Sequence, residues 1–342
     1  MNAKILLLAL LGMLAYAQAR ITFADVQAAE WESFKMEFNK NYDDKEDHRH
    51  MLMFLNNKRI IDEHNERFAS GEESYKMGVN QFTDLFDEEF DSLFAGSVMD
   101  AEDDFDSIED DTEFDFNDDL TEEEDTDFEN DLRDHTVDWR TIGAVTPVLN
   151  QGHFNTSWAF AVAGVVESRQ FVATGKLVTL SKQNLVDCCR TKHKKTMNAL
   201  KCIKKKGGIQ TEASYPYRGL AGKCRFNKKL IGAKINKYYQ SSPGNERALV
   251  HNVAKGPVVA VISRDAFRFY KKGVFHNPKC SKSPDVSVLI VGYGTCENCG
   301  DYWLLKTSLG TSWGEKGYMK IARNRNNICG IASRAYYPII KH

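Results

Sequence analysis

Between residues 100 and 134 the chain carries 20 acidic side chains and a single basic one, Arg133, and this run separates two parts of the sequence that are each long enough to be a folding unit. Its only aromatic residues are the spaced Phe105, Phe114, Phe116 and Phe128. A stretch of that composition cannot bury enough apolar surface to offset chain entropy, so 100–134 is predicted to be an acidic disordered linker. Charge reverses across it. Residues 1–134 hold 11 Lys+Arg against 38 Asp+Glu, a net of −27; residues 135–342 hold 34 against 10, a net of +24; together they give the −3 of the whole chain.

At the N-terminus, Lys4 precedes the apolar run Ile5 to Leu14, and Ala17-Gln-Ala19 is a small-x-small cleavage site. Residues 1–19 therefore read as a secretory signal peptide. No later apolar run reaches the roughly 18 residues that a spanning helix needs, so no transmembrane segment is expected and the product is predicted to be secreted or endolysosomal. All eight cysteines lie after residue 187, as suits a domain that matures in an oxidising compartment. Cys296-Glu-Asn-Cys299 reads as a short loop disulfide; a redox centre or zinc half-site would need a second pair or an adjacent helix start. No cluster has zinc-ligand spacing and no glycine loop suits a phosphate, so neither metal nor cofactor is expected.

The texture of the chain changes from helical to extended along its length. Ala28, Trp31, Phe34 and Phe38 recur at helical spacing, and Met51, Phe54 and Ile61 continue after a charged break, which predicts a helical unit within 20–99. Ser157 to about Ala173 is apolar on most sides with Gly175 just beyond, a buried helix with a glycine C-cap and Ser157 as its N-cap. Helices are also predicted after Ser181 and around Asn198 to Lys206. From about Leu230 the runs become short, β-branched and aromatic, as in Val258 to Ile262 and Val286 to Val291, which predicts a small sheet or barrel. The class is α+β, with residues 135–342 forming a helical lobe and a β-barrel-like lobe.

Several motifs occur in order: Asp138-Trp-Arg140, Gly143-Ala-Val-Thr-Pro147, Asn150-Gln-Gly152, Tyr215-Pro-Tyr217, Gly256-Pro-Val258, Val291-Gly-Tyr-Gly294, Tyr302-Trp-Leu304, Trp313-Gly-Glu-Lys-Gly-Tyr318 and Cys329-Gly-Ile-Ala332. Upstream stand Glu46, Phe54, Asn57, Ile61 and Asn65, with His50 where the pattern has arginine, then Gly78-x-Asn80-x-Phe82-x-Asp84. Together they resemble a cathepsin L-like precursor of the papain-like cysteine proteases. The resemblance implies a two-lobed domain over 135–342, a helical inhibitory prodomain over 20–99 lying across the cleft, and disulfides Cys188–Cys224 and Cys280–Cys329. It provides no partners for Cys189 and Cys202.

The same likeness assigns the catalytic positions. The nucleophile precedes Trp158, where this chain has Ser157; the base falls on Val286, its orienting side chain on Thr307, a shielding tryptophan on Leu309, and the oxyanion-hole glutamine is Gln151. A serine hydroxyl needs a base within hydrogen-bond reach, and valine is none. The expectation drawn is a pseudoprotease, not an enzyme, that acts by binding. His153, His251 and His276 are weaker substitutes for the base. The alternatives kept open are a residual hydrolase using Ser157 and a storage or structural protein assembled from acidic and basic halves.

Two further features point to partners. Asn155-Thr-Ser157 is the only Asn-x-Ser/Thr sequence and makes Asn155 a candidate glycosylation site at the cleft. Lys192, Lys194, Lys195, Lys201, Lys204, Lys205 and Lys206 gather into a candidate polyanion-binding surface. Its expected occupants are anionic polymers or the chain's own acidic linker, while the prodomain's expected partners are active cathepsin L-like proteases.

Overall fold

The computed structural model describes residues 22–94, 136–190, 195–297 and 299–340. The expected signal peptide and acidic linker, with Lys192 and Lys194, lie outside the described residues. The first unit comprises α1 (Phe23–Glu37), α2 (Asp44–Ala69), β1 (Tyr75–Met77) and α3 (Asp87–Phe94). Helix α1 starts at a capping box, Thr22 accepting from the Asp25 amide while the Asp25 carboxylate accepts from that of Thr22. Asp43 caps α2 by accepting from the amides of Lys45 and Glu46. The helices share a small core of Trp31, Phe34 and Phe54, pinned at its rim by Asp47, which accepts from Trp31 Nε1 at 3.1 Å and from Lys35 Nζ at 2.7 Å. Ala28, predicted to join this stripe, is exposed, because the apolar face of α1 contacts α2 only from Trp31 onward.

The interspersed motif on α2 has a local physical purpose. Its members fall on one helix face, and His50, Asn57 and Asn65 take up the backbone of the segment that follows. His50, 3 % exposed, donates from Nδ1 to the Asp84 carbonyl at 2.9 Å. Asn57 donates to Thr83 O at 2.8 Å, and Asn65 both donates to Met77 O and accepts from Met77 N. Phe54 and Ile61 fill the gaps between them. Residues 77–84, which turn at 81–84, are thereby held against α2 through their backbone carbonyls.

The second unit contains β2 (Val137–Asp138), α4 (Ser157–Thr174), α5 (Lys182–Cys188), α6 (Lys195–Lys206), β3 (Ile209–Gln210), β4 (Ile231–Ala233), β5 (Lys237–Gln240), α7 (Glu246–Ala254), β6 (Val258–Ile262), β7 (Tyr270–Phe275), β8 (Val286–Cys296), β9 (Gly300–Lys306), β10 (Tyr318–Ala322) and β11 (Ala335–Ile339). The main sheet runs β1-β7-β10-β9-β8-β6-β11-β5, with β2 paired to β8 and the prodomain's β1 at one edge; β3 and β4 form a separate pair. The fold is α+β and two-lobed.

Alternation along β6 and β8 explains the layering. Val258, Ala260, Ile262, Val286, Val288 and Ile290 belong to a core with α7 and the prodomain's Tyr75, Phe82, Phe90 and Phe94. Val259, Val261, Leu289 and Val291 belong to a second core with α4, α5 and α6. Successive side chains of a strand point to opposite faces, so both faces are apolar and both must be covered. Helix α4 ends at Gly175, φ 71°, as its sequence predicts. Arg169, 8 % exposed on α4, donates to the carbonyls of Asn252, Lys255, Gly256 and Pro257, fixing the C-terminal end of α7 to the helical layer. Disulfides join Cys188–Cys224, Cys189–Cys202, Cys280–Cys329 and Cys296–Cys299.

Trp31 is 1 % exposed and is the largest side chain of the prodomain core. Trp31→Ala is expected to destabilise the α1–α2 pair by about 3–5 kcal/mol, read as a lower urea midpoint for loss of the helical circular dichroism signal of that unit.

Candidate active site

The site lies where the start of α4 meets the start of β8. Ser157 is the first residue of α4 and not its N-cap; the cap is Thr156, which makes no side-chain capping bond, its hydroxyl being held by Tyr217 OH at 2.7 Å. Tyr217 in turn donates to Gln151 O at 2.9 Å, which ties the 151–156 loop to the Tyr215-Pro-Tyr217 run. Ser157 is 3 % exposed, and its Oγ accepts from the Ser287 amide at 3.3 Å. Ser287 faces α6, its hydroxyl 2.8 Å from Thr196 Oγ1, while Val286 faces the other way into the apolar core. Gln151 is 4 % exposed, with its Oε1 accepting from Ser308 Oγ at 2.6 Å and its amide donating to Ser308 O at 2.8 Å. Thr307 donates to Gly317 O at 2.9 Å, and Leu309 is buried in the core that contains Val286.

The structure thus brings Ser157, Gln151 and Thr307 to one place, with Val286 and Leu309 in the adjoining apolar core. His153 is exposed on the loop, while His251 on α7 and His276 after β7 belong to other elements. Among the described residues no cluster could hold a metal ion.

Behind Ser157 lies a space of about 20 Å³, lined also by Thr146, Glu167, Lys182, Ser287, Lys306 and Thr307. It has room for about one water. Its charged members form a buried chain that sequence reading missed. Lys306 Nζ donates to Thr146 O at 2.7 Å and Oγ1 at 3.0 Å; Thr146 Oγ1 donates to Glu167 Oε2 at 2.6 Å; Glu167 Oε1 pairs with Lys182 Nζ at 2.9 Å and accepts from Leu180 N. The signal was present as a glutamate inside the apolar helix and a lysine closing Tyr302-Trp-Leu-Leu-Lys306, but charged residues are by default assigned to solvent. Burial holds Lys306 down at about 8; Glu167 opposes that shift and Lys182 adds to it.

The prodomain closes this region from outside. Strand β1 pairs antiparallel with β7, Gly78 N donates to Phe269 O at 2.9 Å, and Asn80 Nδ2 donates to Arg268 O at 2.9 Å. Arg268 pairs with Asp87, donates to Leu85 O at 2.8 Å, and stands 5.3 Å over the Phe90 ring. Arg264 pairs with Asp91 at 2.8 Å. The Asn155 side chain donates to the carbonyl of Phe94, so the candidate glycosylation site is engaged by the end of α3. Phe94 stacks on Phe267, within the buried core that contains Val286 and Leu309.

A model of the papain family cysteine proteases matches residues 134–339, and one of the cathepsin propeptide inhibitor domain matches residues 31–90. The chain belongs to the papain family. Cathepsin L1 of Drosophila melanogaster is 42% identical over 98% of this chain and 91% of its own length, and a cathepsin L-like peptidase of Aedes aegypti is 41% identical over 98% and 100%. The structure of digestive procathepsin L2 proteinase from the larval midgut of Tenebrio molitor matches with a TM-score of 0.78 at 36% identity, covering 92% of this chain and 100% of that one.

These relatives correct the expectation that the chain is not an enzyme. Proteins 41–42% identical over nearly its whole length are named as cathepsin L and as a peptidase, and the precursor architecture is shared with a procathepsin proteinase. Replacements at three positions, read from sequence likeness alone, do not remove a chain from an enzyme family whose fold and prodomain it keeps. No helix of the described residues is long and apolar enough to cross a membrane.

For Lys306 the sign of the pH effect follows from its depressed value. Between about 8 and the ordinary 10.5 the unfolded chain binds more protons than the folded one, so this lysine makes stability rise with pH across that window. Lys306→Met is expected to remove about 2–3 kcal/mol of the rise, measured by chemical denaturation of both proteins at pH 7.5 and 10.

Proposed function

We propose that this papain-family precursor acts through its prodomain as an inhibitor of cathepsin L-like proteases, over its own cleft and on related enzymes. What carries the reading is the docking mode: a short strand adds to the edge of the main sheet through backbone bonds, and an aromatic wedge of Phe82, Phe90 and Phe94 follows it. Backbone pairing of this kind depends little on the side chains of the partner strand, which suits transfer to other members of the family. The match of residues 31–90 to the cathepsin propeptide inhibitor domain supports the same reading. The four disulfides and the N-terminal apolar run favour the secretory route and an extracellular or lysosomal site of action.

The test is inhibition in trans. The segment 20–99, helical by circular dichroism, is expected to inhibit active cathepsin L-like enzymes at micromolar concentration or below, and Phe90→Ala to weaken inhibition at least about tenfold. A folded segment that leaves a panel of such enzymes unaffected would remove this function.

A second reading, hydrolysis by the chain's own mature domain, is favoured by the names of its relatives. In this chain it would run through the Ser157 hydroxyl. Lys306 is the candidate proton acceptor, because it lines the same cavity and burial brings it down to about 8. Peptide turnover by the processed domain is expected to rise through about pH 8 and to be lost in Ser157→Ala and Lys306→Met; turnover that survives Ser157→Ala excludes Ser157 as the nucleophile.

A further inference from the structure

Helix α3 carries a motif that the chain writes a second time. Asp87-Glu-Glu-Phe-Asp-Ser-Leu93 is followed, inside the acidic stretch, by Glu102-Asp-Asp-Phe-Asp-Ser-Ile108. Aligned on Phe90 and Phe105, the two share Phe, Asp and Ser outright, acid stands for acid at the first three positions, and isoleucine replaces leucine at the last. Phe114, Phe116 and Phe128 lack this frame, since none has two acids before it and Asp-Ser after it. Residues 102–108 lie outside the described residues, but α3 shows what each position of the motif does.

The surface under α3 belongs to the mature domain and is built around two arginines. Arg264 pairs with Asp91 at 2.8 Å and is anchored from its own side by Asp285 at 3.1 Å. Arg268 pairs with Asp87, and its guanidinium stands 5.3 Å over the Phe90 ring and 5.3 Å over Phe269. Phe90 is buried, edge-on to Phe82 at 5.4 Å. Asp87, Glu88 and Glu89 fill the first turn of α3, where the helix dipole favours carboxylates. Each of these roles has a bearer in the second motif: Asp106 for Asp91, Glu102 for Asp87, Phe105 for Phe90, and Asp103 with Asp104 for the rest of the acidic turn. The likeness ends one residue later, where Phe94, stacked on Phe267, is matched by Glu109.

We infer that residues 102–108 are a second ligand for the Arg264–Arg268 surface, weaker than α3 and seated there when α3 is displaced. The missing counterpart of Phe94 gives up the burial of one phenylalanine, so α3 holds the surface in the closed precursor. Reach is not limiting. Residues 109–135 separate the motif from Thr136, and an extended chain of that length spans about 90 Å, against roughly 40 Å for the width of a domain of this size. The tether also keeps the motif at high local concentration. The α6 lysines to which the sequence assigned the acidic stretch, Lys204 and Lys205 exposed and Lys201 partly buried, offer charge that every part of 100–134 can answer. The arginine surface asks in addition for a phenylalanine flanked by acids at set positions.

The probe is the full chain with p-benzoylphenylalanine in place of Ile108, whose counterpart Leu93 packs against the core beneath α3. In the parent, with α3 seated, irradiation is expected to give little crosslinking to residues 264–269. In Phe90→Ala/Asp91→Asn it is expected to join position 108 to those residues of the same chain, with a yield that falls at least about tenfold when Arg264→Gln/Arg268→Gln is added. Glu109→Phe, made in a chain whose α3 is untouched, supplies the missing aromatic and is expected to raise the yield above the parent's. Crosslinks that land on Lys204 to Lys206, that join two chains, or that survive the arginine substitutions overturn the inference. So does a Glu109→Phe chain that crosslinks no more than the parent.

Discussion

Two strands with no polar face, β6 and β8, set the conditions for the rest of the molecule. Because consecutive side chains of Val258–Ile262 and of Val288–Val291 are apolar, neither side of the central sheet can be left to water. On one side α4, α5 and α6 supply the cover. On the other, α7 covers only part, and the prodomain completes the core with Tyr75, Phe82, Phe90 and Phe94. The prodomain is therefore a structural layer of the precursor as well as a cover over the cleft. The start of β8 is also where the nucleophile position of α4 is met, so the element that demands burial is the one that builds the site.

Much of this was legible in the sequence, for reasons that differ by element. The α4 helix is readable because its apolar residues run on most sides and end in a glycine that takes a left-handed conformation. The prodomain motif was readable as spacing, but its physical purpose was not: His50, Asn57 and Asn65 hold the backbone of a later segment, and sequence alone does not say which carbonyls come back to a helix. The N-cap was misplaced by one residue, since Thr156 and Ser157 are both good cap types and tertiary contacts with Tyr217 and Ser287 claimed both hydroxyls. The chain Lys306–Thr146–Glu167–Lys182 was invisible because its members are scattered over 160 residues and each alone looks like a surface charge.

Family membership and residue identity speak to different things in this chain. The comparisons establish a papain-family precursor with its fold, prodomain and relatives named as peptidases. Within that frame the polar atoms around the α4 start are hydroxyls and amides: Ser157, Ser287, Thr307 and Gln151. The titratable groups stand one layer further in. Ser157 and Lys306 line one small space behind the α4 start.

Strand β7 carries a consequence for the precursor once its prodomain leaves. In the closed form its outer backbone is paired with β1, and Gly273, at φ 92°, lets that strand approach so closely that a Cβ would lie 2.7 Å from Ser74 O. Departure of β1 would turn an internal strand into an open edge with unpaired amides and carbonyls, the kind of surface that recruits another chain by strand addition. Lys271 and Lys272 stand exposed along it. Two adjacent ammonium groups on a short strand repel a second copy of themselves, so an edge exposed in this way would be guarded against self-association.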